Sequence, residues 1–202
     1  MRPIAIVLGV CTVASVASAS LVDFSRTPTS ALVPRKGAFS IWGLIYTLLI
    51  ASAVVLGSAR ANPKSILPHV LVCVALGVTC MWSAIVTRFR RVASLCLFVS
   101  ALVVWISLVY VRNNLLFSVA YGLLAGWLSV ATTISMETND TRALLVASLA
   151  VGTVSIGLST PWPCASMLWG LVCQRVLDKA IVNSILLVVV SIAASVLRRY
   201  VF

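Results

Sequence analysis

The sequence predicts an all-α integral membrane protein, a polytopic bundle of about eight transmembrane helices. Of its 202 residues, 61% are hydrophobic and 9% are charged, and the mean hydropathy is +1.13. A soluble domain usually carries about a quarter charged residues, because its surface faces water. The apolar residues also fall into runs close to the length that crosses about 30 Å of hydrocarbon, and short charged connectors separate these runs. No stretch is left over for a soluble domain.

The first apolar run, about residues 4–22, has two interpretations. Arg2, the apolar stretch and the small residues Ala17-Ser18-Ala19 would suit a cleaved signal peptide, but the run is also about long enough to remain as a spanning helix. A polar, proline-containing loop follows at residues 23–37. The later expected helices lie at about 38–57, 67–87, after Arg91 to Val111, 115–135, 143–159, 164–176 and 180–197.

Two of these expected helices, 143–159 and 164–176, are near the lower length limit for crossing a membrane. Pro161-Trp162-Pro163 separates them, which predicts a short helical hairpin with its turn at the membrane interface.

The formal net charge of +11 does not indicate a nucleic-acid partner, because the basic residues are scattered over every connector without an aromatic-interleaved stripe. Counting Lys and Arg in alternate connectors places nine on one side and six, including Arg2 and Arg199, on the other. The positive-inside rule therefore predicts that both termini lie outside. Membrane lipids are the partners that these charges imply.

The expected spans contain no charged carboxylate, lysine or arginine at bilayer depth, which disfavours an ion-coupled carrier and leaves no catalytic constellation. His69 lies at a helix entrance, where packing is the favoured role. Six cysteines without C-x-x-C spacing predict no metal site. The spans are instead rich in aromatic residues, which serve either packing and anchoring or the walls of a cavity for a flat apolar ligand: Trp42, Tyr46, Trp82, Trp105, Tyr110, Tyr121, Trp127 and Trp169.

Gly122 and Gly126 form a G-x-x-x-G pattern in the fifth expected span. Small residues at this spacing allow two helix backbones to approach closely. We expect helix packing inside the bundle, and the alternative is the contact face of a homodimer.

Two segments carry a family resemblance. "PRKGAFSIWGLIY", residues 34–46, resembles the loop and second helix of the TspO/translocator protein family, also called tryptophan-rich sensory proteins. "AGWLSVATTIS", residues 125–135, is similar to the fifth helix of that family. The chain is thus identified as a longer TspO-related form with extra C-terminal helices. It departs from the family pattern at Leu123, Leu124 and Ser135.

The resemblance implies a TspO-like five-helix bundle over residues 1–135, with residues 23–37 as a lid and the first helix retained. Residues 136–202 would then be additional transmembrane helices. It further implies a receptor or carrier that binds a tetrapyrrole, such as haem or protoporphyrin, or a sterol-like ligand, with no cofactor required. The alternatives are a structural membrane protein without a ligand and a porphyrin-modifying enzyme. The ligand-binding residues that it implies are Pro34, Phe39, Trp42, Tyr46, Trp82, Trp127 and Ala131.

Overall fold

The computed structural model describes residues 2–20, 36–58, 65–86, 88–136, 142–174 and 179–200. These residues form eight α-helices, and a 3-10 helix at Lys36–Ser40 leads directly into the second of them. The all-α fold class is therefore confirmed. The helices are α1 Arg2–Ser20, α2 Ile41–Gly57, α3 Leu67–Ile85, α4 Arg90–Val111, α5 Leu115–Ser135, α6 Arg142–Leu158, α7 Trp162–Val172 and α8 Lys179–Tyr200.

The helix ends follow from local chemistry. The side chain of Asn114 caps α5 by accepting a hydrogen bond of 3.3 Å from the backbone N–H of Phe117. Between α6 and α7 the chain turns at Ser159, whose φ of 54° lies in the left-handed region. Pro161 follows, and it cannot continue the preceding helix because it has no backbone N–H.

Helices α1 to α5 close into a ring. Along the chain of contacts, α2 packs on α1, α1 on α3, α3 on α4, α4 on α5, and α5 returns to α2. The interior is filled by fully buried aliphatic side chains from several of these helices, including Leu8, Ile45, Leu49, Leu76 and Leu128. Several buried serines and threonines of the ring bond back to their own helices, as Ser52 does to the carbonyl of Leu48 at 2.8 Å, so these hydroxyls need no partner in the lipid.

Helices α6, α7 and α8 form a second layer, which we call the C-terminal layer. Helix α7 lies against α5, and α8 packs on both α6 and α7. Helix α5 is covered by the ring on one side and by this layer on the other. For this reason 72% of its apolar segment is buried, against 28–44% for the other long helices.

Five helices are long and apolar enough to cross a membrane by themselves, namely α2 with its leading turn, α3, α4, α5 and α8. The described apolar stretch Arg2–Ser18 of α1 and the helices α6 and α7 are shorter, with 10–17 residues each. The 11 residues of α7 extend only about 16 Å, roughly half of the hydrocarbon thickness. The sequence placed this hairpin correctly but expected its second helix at 164–176, whereas α7 begins at Trp162, with Pro163 in its first turn where a missing N–H is tolerated.

Candidate ligand-binding site

Aromatic side chains from two separate segments meet at one end of the ring, which we call the aromatic end. Phe39 comes from the 3-10 helix, and Trp42 and Tyr46 come from the first turns of α2. Trp127 reaches them from α5, eight residues before that helix ends. Trp42 and Tyr46 share one helix face because they are four residues apart.

The rings adopt the geometries that aromatic quadrupoles favour. Trp42 is stacked on Tyr46 with centroids 5.1 Å apart and an interplanar angle of 17°. Trp127 meets Trp42 edge-on at 6.1 Å and 83°, and it meets Phe39 edge-on at 6.2 Å and 81°. Such contacts contribute about 0.5–1.5 kcal/mol each beyond simple burial. The four side chains therefore form one cluster, defined here as the aromatic cluster.

Trp127 is the most deeply buried member, with 2% of its surface exposed. Its indole N–H is buried and finds no hydrogen-bond partner among the described residues. A buried donor without an acceptor costs free energy, of the order of 1–3 kcal/mol. A carbonyl, carboxylate or other hydrogen-bond acceptor placed beside the cluster would satisfy this N–H.

The C-terminal layer also reaches this site. The indole N–H of Trp169, on α7, donates a 3.0 Å hydrogen bond to the backbone carbonyl of Ala38 in the 3-10 helix. Gly170 lies directly behind Trp127, since a Cβ at this glycine would sit 3.4 Å from the Trp127 ring. Trp169 was among the aromatic residues noted in the sequence but not among the predicted ligand-binding residues, because the resemblance ends at residue 135.

The other predicted site residues are not among the four rings of the cluster. Trp82 is half-buried near the end of α3 and packs against the ring core, and its indole N–H likewise has no partner among the described residues. Ala131 is half-buried one helical turn beyond Trp127. Pro34 lies outside the described residues, as does the lid at 23–37 except for the two residues that begin the 3-10 helix.

Gly122 and Gly126 face α7 rather than open lipid. A Cβ on Gly122 would come within 2.7 Å of the Trp162 Cβ, and one on Gly126 would overlap the carbonyl oxygen of Pro163 and the hydroxyl of Ser166. The pair therefore allows α5 and α7 to pack backbone to backbone. Helix α7 therefore covers this face of α5 in the described part of the chain.

The opposite end of the ring contains a buried polar pair that the sequence did not reveal. His69 on α3 is 1% exposed, and its Nδ1 lies 2.6 Å from the hydroxyl of the fully buried Tyr121 on α5. Phe117 covers the imidazole edge-on at 4.8 Å. The expectation of packing at His69 was thus incomplete, because nothing in the spacing of two residues 52 positions apart signals their hydrogen bond.

Comparison with known protein families places this geometry in context. A family model described as TSPO-like protein matches residues 3–143, which cover the five ring helices except for Arg2. The chain belongs to the TSPO-like family. No curated protein and no solved structure matches it. The TSPO-like match confirms the resemblance read from residues 34–46 and 125–135, and together with the apolar helices it makes this chain a multi-pass integral membrane protein. Helices α7 and α8 lie beyond the matched segment.

Proposed function

We propose that this TSPO-like protein is a membrane receptor or carrier for a flat lipophilic ligand of the tetrapyrrole or sterol type, bound at the aromatic cluster. The observation that carries the proposal is the meeting of four aromatic rings around a buried indole N–H that has no partner among the described residues. Ligand pockets for such molecules combine aromatic walls with a few placed polar groups.

The shape of the cluster favours a planar ligand. Trp42 and Tyr46 already present parallel faces, and Trp127 stands across them almost at right angles. A planar ring that entered between Trp42 and Trp127 would gain stacking on one face, and its acceptor groups could accept the Trp127 N–H. A propionate or keto group on a porphyrin, or the hydroxyl of a sterol, is an acceptor of this kind.

In the described state the rings contact one another, so a ligand must separate them. The 3-10 helix carries Phe39 and precedes Trp42 directly, and it contacts α7 through a hydrogen bond between Trp169 and Ala38. A shift of this short element would move Phe39 away from Trp127, and a side-chain rotation of Trp42 in the first turn of α2 would widen the gap while the packed ring stays intact. Ligand entry therefore requires local movement at the aromatic end, and no opening of the whole bundle.

The test is a titration of the full chain, purified in detergent, with protoporphyrin, haem and cholesterol. Tryptophan fluorescence and the porphyrin absorption band follow binding of the tetrapyrroles, and competition against bound porphyrin follows the sterol. We expect saturable binding of at least one ligand class at one site per chain. Saturable binding of none would favour the structural role, and conversion of the porphyrin to a new chromophore would favour an enzyme.

A further inference from the structure

A second site lies outside the aromatic cluster, at the same end of the molecule, where α4 begins and α5 ends. It is a groove with a volume of about 430 Å³, which we call the arginine groove. The volume falls within the range of about 300–1,000 Å³ that is usual for small-ligand sites. Its lining residues are Arg90, Arg91, Ser94, Leu95, Phe98, Ser135 and Met136.

The floor of the groove is fixed by a bond between the two helices. The hydroxyl of Ser94 donates to the backbone carbonyl of Ser135, the last residue of α5, at 2.8 Å. This contact holds the start of α4 against the end of α5. The two helices that form the groove are therefore held together without a ligand, which lowers the ordering cost of binding one.

Polarity changes along the groove from one end to the other. Arg90 and Arg91 are the first two residues of α4, where the helix reaches the headgroup region. Leu95 and Phe98 follow on the same helix face and remain 59% and 43% exposed. Since each residue rises 1.5 Å, Phe98 lies about 10 Å deeper along α4 than Arg91. The arginine end of the groove thus continues into an apolar section that runs toward the hydrocarbon core.

This gradient matches one class of molecule. A phosphate at the level of Arg90 and Arg91 would place acyl chains beside Leu95 and Phe98. A free phosphate would contact only the arginine end of the groove, and a neutral lipid would contact only the section lined by Leu95 and Phe98. The connectors at this end carry nine of the fifteen basic residues, so the positive-inside rule assigns it to the inner leaflet, where anionic lipids are enriched.

We propose that the arginine groove is a binding site for one anionic phospholipid, with its phosphate held by Arg91 and its acyl chain along Leu95 and Phe98. The site is independent of the proposed ligand at the aromatic cluster, since the groove and the cluster share no residue.

The experiment is native mass spectrometry of the full chain released from micelles that contain equal amounts of phosphatidylglycerol and phosphatidylcholine. We expect one phosphatidylglycerol to be retained per chain. Arg91→Gln should lower its apparent affinity about fivefold, the size expected for one surface cation. Phe98→Ala should weaken retention of phosphatidylglycerol with long acyl chains, and it should not increase retention of phosphatidylcholine.

The matched control is Arg88→Gln. Arg88 is an exposed arginine three residues from Arg91, but its guanidinium lies 5.6 Å from the centroid of the Phe89 ring and does not line the groove. Its loss changes the net charge as Arg91→Gln does and should leave lipid retention unchanged.

Three results would overturn the proposal. One is equal retention of both lipids, and another is an equal loss from Arg88→Gln and Arg91→Gln, which would mean a diffuse charge effect. The third is displacement of the lipid by millimolar inorganic phosphate or glycerol phosphate, which would make the groove a simple anion site. Both arginine variants are surface changes, and circular dichroism would verify that each keeps the helical fold.

Discussion

The ring and the C-terminal layer are built from similarly apolar sequence, yet they are held together by different contacts. The ring closes around fully buried leucine and isoleucine side chains. The layer has a smaller buried apolar core of its own, which includes Leu144, Met167 and Leu171. It is also joined through positions that lack a side chain, where Gly122 and Gly126 meet α7 and Gly152 meets Ser191 of α8. In lipid, hydrophobicity does not drive helices together, so close backbone contact is what stabilises such a junction.

This difference affects how well each region tolerates an added methyl group. A core of flexible aliphatic side chains can repack around an added methyl group, whereas a backbone carbonyl opposite a glycine cannot move aside without moving its helix. The layer should therefore be the more sensitive of the two regions to small changes.

The largest effect is expected from Gly126→Ala. The new Cβ would overlap the carbonyl oxygen of Pro163 and the hydroxyl of Ser166. We expect the free energy of unfolding to fall by about 3 kcal/mol, the upper end for overpacking a tight contact. Thermal denaturation in detergent, followed by circular dichroism, measures this loss.

Gly43→Ala is the matched control, because nothing lies within 4 Å of a Cβ built at Gly43 on ring helix α2. Alanine is the better helix former by about 1 kcal/mol, so this variant should be neutral or slightly more stable. Equal destabilisation by both variants would contradict the contrast between ring and layer.

The second prediction concerns the aromatic cluster. Trp127→Ala and Trp42→Ala should each weaken porphyrin binding by about 1–3 kcal/mol, the order lost when a packed aromatic side chain is truncated. Fluorescence titration measures the change. Trp105→Ala is the control, because Trp105 lies on α4 and bonds to Ser129 at 3.3 Å rather than to the cluster. Equal losses at all three positions would indicate general destabilisation instead of a site.

The sequence predicted the helices of the ring, but it did not predict the contacts by which the C-terminal layer reaches the aromatic cluster. Helix α5 has the predicted bounds 115–135, since Asn114 caps its start and the apolar run is unbroken. The motif residues Phe39, Trp42, Tyr46 and Trp127 do come together. Composition and periodicity determine the helix bounds locally, whereas the site residues were implied by the family resemblance.

What could not be predicted depends on contacts between distant segments. The bond from Trp169 to Ala38 joins residues 131 positions apart, and the pair of His69 and Tyr121 joins α3 to α5. Neither has a periodic signature, because hydrogen bonds between helices depend on their relative rotation. The G-x-x-x-G pattern indicated a close contact but not that α7 would be the partner.

The third prediction asks whether the layer affects the site. Trp169→Phe keeps an aromatic ring but removes the donor to the Ala38 carbonyl. Because one such bond contributes about 0.5–1.5 kcal/mol, porphyrin affinity should change by about 2- to 12-fold, with little effect on thermal stability. Trp169→Leu should give the same shift, since both variants lack the N–H. An affinity identical to that of the unaltered chain would separate the C-terminal layer from the ligand site.

The smallest effect is expected inside the ring, at the pair of His69 and Tyr121. Their 2.6 Å contact is short and fully buried, which would suggest a strong interaction. Helices in a membrane nevertheless gain only about 0.6 kcal/mol on average from one interhelical hydrogen bond, because the separated helices also find polar partners. A double-mutant cycle of His69→Phe, Tyr121→Phe and both together, read by thermal denaturation, should give a coupling energy of that size. Phenylalanine at either position keeps an aromatic ring beside Phe117, which His69 meets edge-on and Tyr121 meets at a tilt of 34°, so the cycle isolates the hydrogen bond. A coupling above about 2 kcal/mol would mean that a polar bond, and not the aliphatic core, holds α3 against α5 at this end, and the contrast between ring and layer would then fail for the ring.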